Sequence, residues 1–101
     1  MKYQLVLQFQ ASESEDFERL GEIEDRLIEN LGEDHLVDGH DFGSGEMNIF
    51  IHTNDPRSAF EKARICLSPR QKEFVAAYRE LNGEKYTVLW PEKYGKEFRV
   101  I

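Results

Sequence analysis

Apolar side chains occupy every second position near the start of the chain. Tyr3, Leu5, Leu7 and Phe9 alternate with Gln4, Gln8 and Gln10, the period of a strand with one buried face. Val6 interrupts the polar set on the second face, which places this strand inside a sheet rather than at its edge. The spacing then lengthens. Phe17, Leu20, Ile23, Leu27, Ile28 and Leu31 recur every three or four residues, a helical stripe that ends at Gly32. Ser12 with Glu15 matches a capping box, and Ser14 is a rival N-cap. Period two returns over 35–42 and 46–53, joined at Gly43-Ser44-Gly45, a hairpin pattern. Met47, Ile49 and Ile51 fall on one face; Asn48, Phe50 and His52 fall on the other. Asp55 as N-cap and Pro56 in the first turn open a second helix. Ala59, Phe60, Ala63 and Leu67 form its core side, and Ser68-Pro69 breaks it.

Positions 74–81 fit either period, since Phe74, Ala77, Tyr78 and Leu81 suit a helix and Phe74, Ala76 and Tyr78 suit a strand. The alternation of Tyr86, Val88 and Trp90 after Asn82-Gly83 decides for a second hairpin, 74–81 with 85–90. The terminal Glu97-Phe98-Arg99-Val100-Ile101 is expected to add a short strand or to lie across an edge. The order β-α-β-β-α-β plus an extra strand predicts an α+β, ferredoxin-like two-layer sandwich, an antiparallel sheet with two helices on one face. One domain over 1–101 accommodates it, with no repeat or linker.

Charge narrows the partners. The chain carries a net charge of −7, and an acid excess works against a duplex nucleic-acid binder. Residues 1–50 hold thirteen acids against Lys2, Arg19 and Arg26, whereas residues 51–101 hold seven acids against ten bases. Glu15, Glu18, Glu22, Asp25 and Glu29 share one face of the first helix, a solvated ridge or a docking surface for a basic protein. Glu15–Arg19 and Glu22–Arg26 are spaced to pair along it. Whether Arg57, Arg64, Arg70 and Lys72 converge on an anionic ligand depends on the fold. No apolar run reaches the about 20 residues of a membrane helix. MKYQLVLQFQ lacks the features of a signal peptide, and the lone Cys66 has no disulfide partner. A cytoplasmic location is therefore expected, with Cys66 a small buried apolar residue on its helix.

The chemistry concentrates in 37–56. Asp38 and His40, two apart on a straight strand, would share a face, and a hairpin pairing 42 with 46 sets His40 opposite Asn48 and residue 36 opposite His52. The two histidines would then lie about four residues apart, at about 3.3 Å each too far to share an ion. Glu46 and Asn48 add ligand atoms, but no spacing here is diagnostic of a metal site, so no metal or cofactor is expected. Gly43-Ser44-Gly45 leads into a strand, whereas a phosphate loop leads into a helix N-terminus; Walker-type chemistry is excluded with it. Acid–base chemistry at His40 with Asp38, or at His52, is harder to dismiss, because a histidine beside a carboxylate is a common proton-transfer unit. The aromatics Tyr3, Phe9, Phe50, Tyr78, Tyr86 and Trp90 all map to strands. Some of them must line the sheet face that the helices leave open, and an uncovered aromatic face marks a contact surface.

The stretch VDGHDFGSGEMNIFIHTNDPRSAF, with YTVLWP, resembles a small group of bacterial proteins without an established activity over nearly the whole chain. The resemblance implies a ferredoxin-like, cytoplasmic, stand-alone domain and assigns no residue a catalytic role. The expectation is a non-enzymatic binding module working through the open face as a homodimer, with Asn48, Phe50, Tyr86, Trp90 and Glu46 as contact residues. Its rivals are a small cofactor-independent enzyme using His40, Asp38 or His52 on a small molecule, and an acidic, immunity-type protein that neutralises a basic partner.

Overall fold

The computed structural model describes residues 1–11, 13–67 and 73–100. The elements run β1 (Tyr3–Gln10), α1 (Ser14–Asn30), β2 (His35–Gly43), β3 (Glu46–Thr53), α2 (Pro56–Cys66), β4 (Phe74–Glu80) and β5 (Thr87–Trp90). The strands form one antiparallel sheet in the order β2-β3-β1-β4-β5. β1 is central, as Val6 predicted, and 74–81 resolves as a strand. Both helices pack on the face formed by Leu5, Leu7, Phe9, Met47, Ile49 and Ile51, each wholly or almost wholly buried. The core lies there, between that face and Leu20, Ile23 and Leu27 of α1 and Ala59, Phe60 and Ala63 of α2.

Local chemistry sets the helix ends. Glu13 is the N-cap of α1 in extended geometry, and its N–H donates to the Asp16 carboxylate at 3.2 Å. The expected cap, Ser12, lies outside the described residues, and the helix starts one position later. Its stop is as read: Leu31 caps and Gly32 takes φ +78°. Asp55 caps α2 by accepting the Ser58 N–H at 3.1 Å, with Pro56 in the first turn. Ser68-Pro69, read as the break after α2, also lies outside the described residues.

The stripe of α1 is narrower than its spacing indicated. Phe17 is 41% exposed and Ile28 is 60% exposed, because Leu20, Ile23, Leu27 and Leu31 fill the space over the sheet. Phe17 turns to the sheet edge and meets Phe42 edge-on, 4.7 Å between centroids. The spaced ion pairs of α1 do not form as read. Arg19 pairs with Asp16 at 2.8 Å, and Arg26 donates to the Cys66 carbonyl at 3.3 Å, tying α1 to α2.

The two hairpins differ. Between β2 and β3 only Ser44 and Gly45 are unpaired, with φ +53° and +78°, the double left-handed geometry of a type I′ turn. Between β4 and β5 the Asn82-Gly83 signal makes a longer connection. The Gly83 N–H donates to the Glu80 carbonyl at 2.9 Å, and Arg79 Nη1 gathers the carbonyls of Glu80, Leu81 and Gly83, each at 3.1 Å. That guanidinium holds the chain in a wider loop, so β5 starts at Thr87 rather than 85.

β2 carries a bulge that its alternation did not announce. Val37 pairs with Ile51 and Gly39 with Phe50, leaving Asp38 as the extra residue. Gly39 takes φ +136°, which side chains rarely tolerate.

The C-terminal segment neither adds a strand nor borders an edge. Residues 91–100 cross the sheet face opposite the helices, where buried Phe98 packs on fully buried Val6 and Ala77. Two measurements check this framework. Gly45→Ala strains the turn and is expected to cost about 1–2 kcal/mol. Leu7→Ala opens a cavity under both helices and is expected to cost about 2–5 kcal/mol. Both are read from urea midpoints at constant m-value.

Candidate functional site

The bulge at Asp38 decides where the candidate residues point. Residues paired across an antiparallel ladder share a face. His40 pairs with Ile49, whose side chain faces the helices, and Leu36 pairs with His52 on the opposite face. The expected grouping of Asp38 with His40 is therefore overturned, because the extra residue reverses the alternation between them. Asp38 approaches His52 instead, 3.6 Å from Oδ2 to Nε2. His40 reaches across to α1, with Nδ1 at 2.9 Å from both carboxylate oxygens of Glu24. Phe42 stands beside it at 5.2 Å between ring centroids. Two histidine–carboxylate pairs thus exist, one on each side of the sheet. They do not share a centre. Glu24 is a partner that the sequence did not single out.

Asn48 is not opposite His40. It pairs with Asp41 on one side and Gln8 on the other, and it is fully buried. Its Nδ2 donates to Asp41 Oδ1 at 3.0 Å and its Oδ1 accepts from Gln8 Nε2 at 3.0 Å. Gln8 Nε2 also donates to the Arg99 carbonyl at 2.8 Å. A polar row therefore runs from the β2 edge across three strands to the C-terminal segment. Buried amides demand such partners, and here the last is main chain from the covering segment.

The aromatic candidates divide between the faces. Phe50 and Tyr86 lie on the second face around Phe98, with Tyr86 and Phe98 edge-on at 4.8 Å. Trp90 pairs with Ala76 and joins the helix-side cluster, stacked 6.4 Å from Phe74. Arg64 lies over it at 5.0 Å and over Phe60 at 5.4 Å, a cation–π arrangement. Tyr3, Phe9 and Tyr78 also face the helix side. The open aromatic wall expected from alternation is thus reduced to Phe50 and Tyr86, and the chain's own Phe98 covers its centre. Glu46 sits at the turn, where Gln10 Nε2 donates to its carboxylate at 3.3 Å. Arg64 is held on rings, Arg57 is exposed, and Arg70 and Lys72 lie outside the described residues.

Three surface clefts lie away from both histidine pairs. One of about 570 Å³ is lined by Tyr3, Tyr78, Glu80, Lys85 and Thr87 among others. A second, of about 500 Å³, adjoins it at Lys2 and Asn82. A third, of about 460 Å³, lies beside the start of α2, between Asp34, His35, Asp55, Ser58 and Lys62. Among the described residues no group of three or more His, Cys, Asp or Glu is placed to hold a metal ion. No helix among them is long and apolar enough to cross a membrane. Cys66 is buried and its thiol is pushed up from its ordinary value by that burial, against the pull of Arg26.

His35 is the histidine that the pattern passed over. It is buried, and its Nδ1 lies 2.7 Å from Thr53 Oγ1, which accepts the Asp55 N–H at 2.9 Å. Its Nε2 is buried without a partner, so the pocket suits a neutral ring. Burial lowers its pKa from the ordinary value, Lys62 adds to that, and Asp34 and Asp55 oppose it. The only sequence signal was its place at the first position of β2, facing the α2 cap.

Comparison with protein-family models, with curated proteins and with solved structures finds no match to this chain.

His35 yields a direct test. The unfolded chain takes up a proton near pH 6.5 that the folded chain resists, so the folded state loses stability as pH falls below 6.5 towards the lowered folded value. Chemical denaturation between pH 7.5 and 5 should show His35→Gln losing less than the wild type over this interval. Parallel curves would remove His35 from the acid response.

Proposed function

We propose that the chain is a non-enzymatic binding module of the ferredoxin-like class, with the sheet face opposite the helices as its contact surface. The class rests on β1 lying between β3 and β4, both helices sharing one face, and β5 extending the sheet beyond β4. The observation that carries the function is the character of the second face. A sheet face left to water is polar at alternate positions. Here Val6, Ala77, Phe50, Val75 and Val88 make an apolar strip, and an irregular peptide segment rather than a helix lies on it. Such a strip is suited to an extended chain.

Leu36, Asp38 and His52 border the strip on the β2 side, where Leu36 is 54% exposed. They supply an apolar contact and a polar pair at its rim. The enzyme reading needs a proton-transfer group at a pocket. Of the expected groups, His40 and His52 lie on opposite faces and share no centre, whereas His35 lines the cleft beside the start of α2. Homodimer formation over the same face belongs to the proposal as one form that binding would take.

Selection of a displayed random-peptide library on the immobilised chain tests the reading. Binders are expected to lose at least tenfold in affinity on Phe50→Asp and to keep their affinity within about twofold on His40→Ala. Thermal melts of the variants confirm folding. Binders indifferent to Phe50→Asp would place the contact surface elsewhere.

A further inference from the structure

The covering segment is built unlike the rest of the molecule. Residues 91–100 contain no helix or strand. Their anchors are side chains: buried Phe98 on Val6 and Ala77, with Tyr94 and Val100 partly buried beside it. Gln8 fixes one main-chain carbonyl, that of Arg99. Burial alternates over the anchor, Phe98 in, Arg99 out and Val100 partly in, the period of an extended strand-like peptide. Lys93, Lys96 and Arg99 only just outnumber Glu92 and Glu97 in this segment, and Arg99 pairs with Glu97 at 3.2 Å. Among the described residues no backbone–backbone hydrogen bond ties 91–100 to the sheet, and a segment held mainly by side-chain anchors belongs to the low-stability end of a fold.

We infer that residues 91–100 are an internal ligand, a displaceable strap occupying a peptide groove on the second sheet face. The partner that replaces it is an extended segment of another protein with an aromatic residue followed two positions later by an aliphatic one. The inference rests on the binding-module reading and adds its partner class and its regulation. The strap's own Phe98–Val100 spacing supplies the pattern. The aromatic fills the site over Ala77 beside Tyr86, 4.8 Å from that ring in the strap-bound state. The carbonyl of the residue between them accepts from Gln8, which keeps the Gln8–Asn48–Asp41 row satisfied. Because the strap is tethered, its effective concentration is about millimolar, and a free peptide must outcompete it. The groove is therefore self-occluded, and a partner gains access when the strap is drawn away.

Two experiments on the full chain test this. Ala76 and Ala77 are neighbours on β4, both fully buried, and Ala77 alone lies under the strap while Ala76 faces the helices. On a Cys66→Ser background, Ala77→Cys is expected to react with a thiol reagent at least tenfold faster than Ala76→Cys under native conditions. Equal rates would mean that the strap opens only with the whole fold, and would overturn the inference. In the second, a fluorescent peptide of residues 91–100 is titrated into wild-type and Phe98→Ala chains. The variant is expected to bind it at least tenfold more tightly than the wild type, and to ignore a peptide with Asp in place of its Phe. A folded Phe98→Ala chain that binds neither peptide would overturn the assigned partner. Should Phe98→Ala not fold, the paired cysteines still decide whether the strap moves. Library binders sensitive to Phe50→Asp, found alongside equal cysteine rates, would keep the module and remove the strap.

Discussion

β1 is buried on both of its faces, and most of the molecule follows from satisfying that demand. Leu5, Leu7 and Phe9 need cover on one side, which the two helices provide. Val6 needs it on the other, and Gln8, buried beside it, needs hydrogen-bond partners as well as cover. An apolar residue left facing water forfeits about 1.5–3 kcal/mol of burial, and a buried amide without partners costs about 1–3 kcal/mol. With both helices on one side, the C-terminal segment closes the second among the described residues. Its Phe98 and its Arg99 carbonyl answer the two requirements together.

What was legible in the sequence was local. The period of β1, the Asp55-Pro56 start of α2 and the Gly32 stop each depend on a few neighbouring residues and sit as read. The hairpin at Gly43-Ser44-Gly45 forms too, but its turn is Ser44-Gly45 alone, so Gly43 rather than Phe42 pairs with Glu46. Misreadings arose where a distant contact or a single backbone angle decides. Asp38-Gly39 did carry a signal, since a glycine inside a strand pattern often marks a bulge. Alternation on either side of it overrode that signal, and every side-chain direction between Asp38 and His40 was then inverted. The Glu24–His40 pair spans α1 and β2, and it depends on how the helix is rotated over the sheet, which no spacing encodes. Residues 91–97 show no apolar period, and the alternation of Phe98 and Val100 is too short to say where the segment docks. Their place follows from what Val6 and Ala77 require.

The bulge also bears on function. In an unbroken β2, Asp38 and His40 would point the same way and make one acidic-imidazole cluster. With it, each histidine finds a different carboxylate, Glu24 on the helix side and Asp38 beside His52. The sheet separates the two pairs, so neither reinforces the other in moving a proton. Bulges on edge strands also discourage pairing with a second chain along the edge. β2 is such an edge, flanked by Phe42 and Leu36, both about half exposed. The bulge therefore disfavours pairing of a second chain along this edge.

Of the two faces, the helix side is filled by large side chains in mutual contact, from Phe9 through Phe74 to Trp90 under Arg64. A close-packed interior of that kind does not exchange its parts. Among the described residues the second face is closed by one segment from the C-terminal end, anchored by Phe98 with Tyr94 and Val100 beside it. Displacing it, as proposed, would expose Val6 and Ala77 and leave the helix-side core in place, because Leu5 and Leu7 are held from the other side. A fold whose stability resides in one layer can present the other to a partner without unfolding. In the proposed binding module, the buried Gln8–Asn48–Asp41 row would specify what the partner brings: a main-chain carbonyl beside an apolar anchor, which an extended peptide offers and a flat protein surface does not.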